Sequence, residues 1–393
     1  MEKLANIEKP IASGNTAIEL PSHDDAHTWY NRGNALVNLG RFLEAIASWE
    51  QAIAQKPDYP EAWYNRGVAL QKLGRTEEAL ASYNQTLELN PDNPQAWYNR
   101  GNALRKLGNY QEAITSYDQA LRLNPNYHEA WSNRGNTLAN LERFDKAIAS
   151  YQKATAIKPD YQEAWYNEAF ALRHLGRYEE AIAAYDRALE IQPDFPQAWY
   201  NRGIALANSG RLEEAIASYD RTIQLRPTAH EAWNKRGSAL AQANRLTEAI
   251  ASWDKAIELK PDYPEAWYNR GLVLATLGNL EDAIASWDQT LQLQPDNYEA
   301  LFNRAFAQRK LGQSEAALAS YDQILQINPN DAGSYYQKAS LYAQLDKTDL
   351  ALENLQRAIE LQPAKYRKLS KTDSKFQTIR KNPQFLALIK GPQ

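Results

Sequence analysis

The chain of 393 residues contains no cysteine. Disulfides, thiolate metal sites and a cysteine nucleophile are thereby excluded, although this absence alone assigns no compartment. Long apolar runs are missing as well. No window approaches the roughly 18 apolar residues of a membrane span, and the amino-terminal MEKLANIEKPIASGNTAIEL lacks the continuous apolar core of a secretory signal. A soluble, cytoplasmic protein is expected. Glycine is scarce, at 17 residues scattered singly, so no glycine-rich loop is available to cradle a phosphate. The five histidines, His23, His27, His128, His174 and His230, show neither H-x3-H nor HExxH spacing. Serines such as Ser82 and Ser116 recur without a partner histidine. We therefore expect no catalytic residue, no metal site and no cofactor, and the chain is not expected to be an enzyme.

Charge is mild overall, at −4, but it is unevenly placed. Residues 364–393 carry eight Lys or Arg against the single Asp373, a net +7, which leaves −11 on the rest. An acidic body of this kind argues against nonspecific nucleic-acid binding, while the basic end is able to touch an anionic surface.

What the chain has in abundance is one pattern. In DNPQAWYNRGNALRKLGNYQEAITSYDQALRLNP, Asp92 to Pro125, apolar and small residues fall at Trp97, Gly101, Leu104 and Leu107, then at Ala113, Ile114, Tyr117, Ala120 and Leu121. These are two runs at helical spacing, each with one apolar face. Gly108-Asn109 marks a tight turn between them, and Pro125 ends the second run. The same phase returns every 34 residues, closed by Pro57, Pro91, Pro125, Pro159, Pro193, Pro227, Pro261, Pro295, Pro329 and Pro363. Tryptophan keeps the register at 29, 63, 97, 131, 165, 199, 233 and 267, with Leu301 and Tyr335 in the last two of ten copies. Alanine recurs from Ala45 to Ala317 at the point where the two helices of a copy come closest, and Ala351 continues the series. A small residue is needed there. Linkers such as Asp58-x-x-Glu61 and Asp92-x-x-Gln95 predict an aspartate cap at the start of each first helix.

This 34-residue pattern, with W-x3-G, A-x3-[YW] and a terminal proline, resembles the tetratricopeptide repeat over residues 26–363. The resemblance implies an all-α fold: an α-solenoid of tandem helix hairpins in a right-handed superhelix, first helices lining a concave groove. One hairpin cannot bury both faces alone, so the copies must stack. Three segments are expected: a lead-in over 1–23, ten repeats over 24–363, and a basic capping segment over 364–393. Ala17-Ile18-Glu19-Leu20-Pro21 is similar to the ends of the second helices, so a partial cap is expected there too. In the tail, Phe376, Ile379, Phe385, Leu386, Leu388 and Ile389 surround Asn382-Pro383 and resemble the helices that close bacterial arrays.

Within the family the second residue after the tryptophan faces the groove. Here it is Asn31, Asn65, Asn99, Asn133, Asn167, Asn201, Asn269 and Asn303, interrupted by Lys235 and Gln337. An amide at constant pitch can serve an extended peptide backbone without reading its sequence. The row resembles the asparagine ladder in the tetratricopeptide superhelix of protein O-GlcNAc transferase; local bonding of the amides is the plainer alternative. Beside it stand Tyr64, Tyr98, Tyr166, Tyr200 and Tyr268, whose rings suit either peptide contact or packing between first helices. Cations follow at Lys72, Arg105, Lys106, Arg173, His174, Arg309 and Lys310, which suit acidic stretches of a ligand or simple solvation of helix ends.

The carboxylate clamp of chaperone-tail receptors does not match, because the position two before each tryptophan is Glu or Gln in copies two to nine where a lysine is required. Pentatricopeptide RNA readers match less well than the protein-binding relative, so the expected partners are proteins or peptides and not nucleic acid. The style NRGxALxxLGRxEEAIASYD is similar to proteins abundant in cyanobacteria and other bacteria. The function expected is a scaffold or adaptor; alternatives are a recruiting subunit of a separately encoded enzyme and a self-assembling rod.

Overall fold

A computed structural model of the chain describes residues 25–390. The lead-in, with the partial helix expected before Pro21, lies outside the described residues. Contacts divide the chain into two units, the first ending at Leu175 and the second beginning at Gly176. The division falls inside the fifth repeat, where the sequence pattern shows no break.

In the first unit, α1 (Ala26–Asn38) pairs with α2 (Phe42–Gln55), α3 (Pro60–Lys72) with α4 (Thr76–Leu89), α5 (Pro94–Lys106) with α6 (Tyr110–Leu123) and α7 (His128–Asn140) with α8 (Phe144–Ile157), and α9 (Gln162–His174) follows. The second unit opens with α10 (Tyr178–Ile191). It continues with the pairs α11 (Pro196–Asn208) and α12 (Leu212–Leu225), α13 (His230–Gln242) and α14 (Leu246–Leu259), α15 (Pro264–Thr276) and α16 (Leu280–Leu293), α17 (Tyr298–Lys310) and α18 (Ser314–Ile327), and α19 (Ala332–Gln344) and α20 (Thr348–Leu361). Each first helix has 13 residues and each second helix 14, the tenth pair included, although its sequence departs furthest from the pattern.

The apolar stripe of the second helices is buried as its spacing requires: in α6, Ala113, Ile114, Tyr117, Ala120 and Leu121 all face the core. The alanines at the crossing, Ala45, Ala113, Ala181, Ala249 and Ala317 among them, are 0% exposed. In most copies the first helix presents glycine to an aromatic ring of the second. A Cβ on Gly101 would lie 2.6 Å from the Tyr117 ring, and the same approach recurs at Gly135 against Tyr151. Turn glycines such as Gly108 adopt φ +82°, but the fourth, seventh and tenth copies hold Glu142, Asn244 and Asp346 in the same left-handed conformation.

The predicted aspartate caps require correction. Helix α3 begins at Pro60, so Tyr59 and not Asp58 precedes it, and no side chain caps that end. Side-chain caps form only where the residue directly before the helix is suitable: Asp25 accepts from the Thr28 amide, Asn93 from Ala96, Asn297 from Ala300 and Asp331 from Ser334. The linkers are instead closed by tryptophan. Its indole N–H donates to the carbonyl of the proline six residues earlier, at 2.8 Å for Trp97 and Pro91 and 2.9 Å for Trp131 and Pro125.

After the tenth pair, α21 (Pro363–Thr372), a 3-10 turn (Ser374–Phe376) and α22 (Pro383–Lys390) fold back on α19 and α20. Tyr366, Phe376, Ile379, Phe385 and Ile389 join Tyr336, Leu355 and Ile359 in one buried cluster. The Tyr336 hydroxyl donates to Asp373 at 2.8 Å, which fixes the turn.

Candidate functional site

Within each unit successive first helices touch one another, as α3, α5, α7 and α9 do in the first and α11, α13, α15 and α17 in the second. No comparably close pair of second helices occurs among the described residues. The first helices thus form a continuous face in each unit, and the asparagine row lies on it.

The amides are not free in solvent. Asn133 Nδ2 donates to Tyr98 Oη and to Asn102 Oδ1, both at 2.9 Å and both from the preceding repeat. Asn65 repeats this pair with Tyr30 and Asn34, at 3.2 and 3.0 Å. Where one partner is missing from the sequence, only the other bond forms. Asn99 follows Val68 and keeps only Tyr64, at 3.1 Å; Asn303 follows Leu272 and keeps only Tyr268, at 3.2 Å; Asn167 follows Ser132 and keeps only Asn136, at 3.0 Å. Asn269 follows Asn234 and Ser238 and makes no such bond among the described residues, and Asn31, in the first copy, is exposed. Asn201 is half-buried, as are Tyr166 and Tyr200.

The tyrosines are therefore structural as well as surface groups. Tyr64 packs against Tyr83, with ring centroids 6.1 Å apart, and Tyr98 against Tyr117 and Tyr127 at 6.1 and 4.8 Å. Burial raises the Tyr64 phenol above its ordinary range, and the Asn99 bond partly offsets this. In the fourth and seventh copies the row is interrupted by Ser132 and Asn234, both 0% exposed. There a histidine heads the first helix, and the linker tyrosine turns to it: His128 meets Tyr161 at 5.1 Å and His230 meets Tyr263 at 5.3 Å. Among the described residues no cluster of three or more His, Asp or Glu side chains is placed to hold a metal.

Arg105 is half-buried and Lys106 exposed near the end of α5, while the Arg173 guanidinium lies 5.1 Å over the exposed ring of Phe170.

A further set of residues went unpredicted. The arginine three after each tryptophan spans two repeats: Arg134 Nε donates to Asp118 of the preceding copy at 2.6 Å and Nη1 to Ser150 of its own at 2.7 Å. Arg202, Arg236 and Arg270 repeat the pattern with Asp186, Asp220 and Asp254. In the fifth copy the polarity reverses, Glu168 accepting from Gln152 at 2.9 Å. The constant spacing of 16 between acid and arginine was the available signal.

A family model of the tetratricopeptide repeat matches residues 30–94, 68–128, 98–162 and 268–332. Further models of the same repeat match 150–183, 169–210, 196–229, 237–278 and 313–380. The chain belongs to the tetratricopeptide repeat family. Among solved structures it is similar to the C-terminal part of a TPR repeat-containing protein from Cytophaga hutchinsonii, at 18% identity and a TM-score of 0.55, covering 61% of this chain and 98% of that one. It is also similar to YrrB, described as a TPR protein with an unusual peptide-binding site, at 25% identity and a TM-score of 0.43, covering 47% and 95%. A MamA fragment from Desulfovibrio magneticus RS-1 follows at 22% identity and a TM-score of 0.42, covering 44% and 98%. Among curated proteins no match is found. No helix among the described residues is long and apolar enough to cross a membrane.

Proposed function

We propose that this tetratricopeptide chain is a noncatalytic scaffold that binds extended segments of partner proteins on the face of its first helices, in the assembly or localisation of a complex. Its ten repeats supply the array and the basic carboxyl-terminal segment closes it. The observation that carries the reading is the fixed orientation of the asparagines. In Asn65, Asn99, Asn133 and Asn303 the amide nitrogen is held by the preceding repeat, and no described residue donates to the oxygen. A row of acceptors at repeat pitch is what the N–H groups of an extended backbone require. Tyr64, Tyr98 and Tyr268 hold these amides in place and border them.

A random peptide library displayed on phage tests this, with a photo-crosslinking residue placed either at Lys106, on the first-helix face, or at Thr115, exposed on α6. Enriched peptides are expected to crosslink at position 106 and not at 115. Enrichment of none, or crosslinking only at 115, contradicts the proposal.

A further inference from the structure

Two exposed phenylalanines occupy the same repeat position four copies apart, each beside an arginine and a second basic residue. Phe170, 36% exposed, lies in Ala169-Phe170-Ala171-Leu172-Arg173-His174; Phe306, 40% exposed, lies in Ala305-Phe306-Ala307-Gln308-Arg309-Lys310. In the second unit the Arg309 guanidinium stands 5.4 Å and the Lys310 ammonium 5.0 Å from the Phe306 ring centroid. In the first unit Arg173 stands 5.1 Å from the Phe170 ring, and the His174 ring centroid lies 4.5 Å away. Arg173 Nε is buried and has no acceptor among the described residues.

The 3-10 turn of the folded tail packs on α19, and there the Lys375 ammonium is paired with Asp373 at 3.8 Å. Arg309 itself has only a neutral acceptor in Gln337, at 2.7 Å. Two cations at one exposed ring, neither in an ion pair among the described residues, leave a positive field that a bound anion would neutralise. The ring meanwhile offers apolar area next to that field, which a bare inorganic anion would not use.

We infer that the Phe306 cluster, with Arg309 and Lys310, is a socket for an acidic side chain adjoining an aromatic residue in a peptide segment, and that Phe170 with Arg173 forms the same socket in the first unit. The carboxylate meets the cations and the neighbouring aromatic side chain lies against the exposed phenylalanine. This inference rests on the peptide-binding reading of the first-helix face and names the sequence that the otherwise tolerant asparagine row selects.

The test uses the full chain and fluorescein-labelled nonapeptides that are neutral and flexible apart from a central Asp-Phe, Asn-Phe, Asp-Ala or phosphoserine-Ala pair, read by fluorescence anisotropy. The Asp-Phe peptide is expected to bind about tenfold more tightly than the Asn-Phe and Asp-Ala peptides, with affinity falling as salt rises. The double variant Phe306→Ala, Phe170→Ala and the charge variant Lys310→Glu, at exposed positions, are expected to lose that preference while keeping the helical circular dichroism of the parent. Equal binding of Asp-Phe and Asn-Phe, or preference for the phosphoserine peptide, overturns the socket. If library peptides crosslink at position 106 but show no dependence on carboxylate or on Phe306, the scaffold reading stands and the socket alone is wrong. If no peptide binds the first-helix face, both are wrong.

Discussion

Asn133 is a joint between repeats. Its two donated bonds at 2.9 Å tie α7 to the Tyr98 and Asn102 side chains of α5. Exposed amides would be neutral to stability, but half-buried bonded ones are not. Asn133→Ala is expected to destabilise the chain by about 1 to 2 kcal/mol by removing its bonds to Tyr98 and Asn102, whereas Asn31→Ala, at an exposed site, should stay within about 0.5 kcal/mol. Urea unfolding of the two variants compares them directly; equal midpoints would contradict the joint. Glu142 gives a prediction of opposite sign. It holds φ +57° where most copies have glycine, so Glu142→Gly should stabilise by about 1 kcal/mol by removing a left-handed residue with a Cβ. A lower unfolding midpoint would show that the Glu142 side chain contributes more than its backbone costs.

At the scale of the helices, the repeat period made the pairs legible. Apolar positions at helical spacing, turn glycines and the closing prolines all point to the same 13- and 14-residue elements that the structure contains. What the pattern did not reveal depends on the next repeat and not on the helix itself. The arginine bridges of Arg134, Arg202 and Arg236 join residues 16 apart on different hairpins, and the amide partners lie 31 and 35 residues away. The cap error has a local cause, since Pro60 sets the first turn one residue later than the aspartate pattern requires. The tail was legible as a cap because its apolar residues had nothing else to cover. Ending the chain after Leu361 removes Tyr366, Phe376 and Phe385 from the cluster around Tyr336 and Leu355. That truncation is expected to lower the thermal midpoint and to increase binding of a dye that reports exposed apolar surface. An unchanged midpoint would mean the tenth pair is stable uncovered.

For the whole molecule, the heavy use of tyrosine sets a limit on alkaline stability. Burial is the first cause that pushes the phenols of Tyr161, Tyr263, Tyr298 and Tyr321 up to about 12 from an ordinary 10.0. The folded state then holds its protons more tightly than the unfolded one. This contribution is complete below pH about 10 and is lost as pH rises from there towards about 12. Thermal melts should be constant between pH 8 and about 9.5 and fall steeply above about 10.5; a midpoint unchanged at pH about 11 would contradict the burial of these rings.

The sequence pattern also pointed to the face on which we propose binding, because asparagine, tyrosine and cation rows keep one phase over many copies. It did not show that the amide nitrogens are already engaged. The most direct test is a crystal structure of the chain with a library-selected peptide. The account predicts an extended peptide on the first helices, its N–H groups directed at the side-chain oxygens of asparagines such as Asn65, Asn99 and Asn133. A peptide seated on the second helices, or on the first-helix face with those oxygens unused, would contradict it.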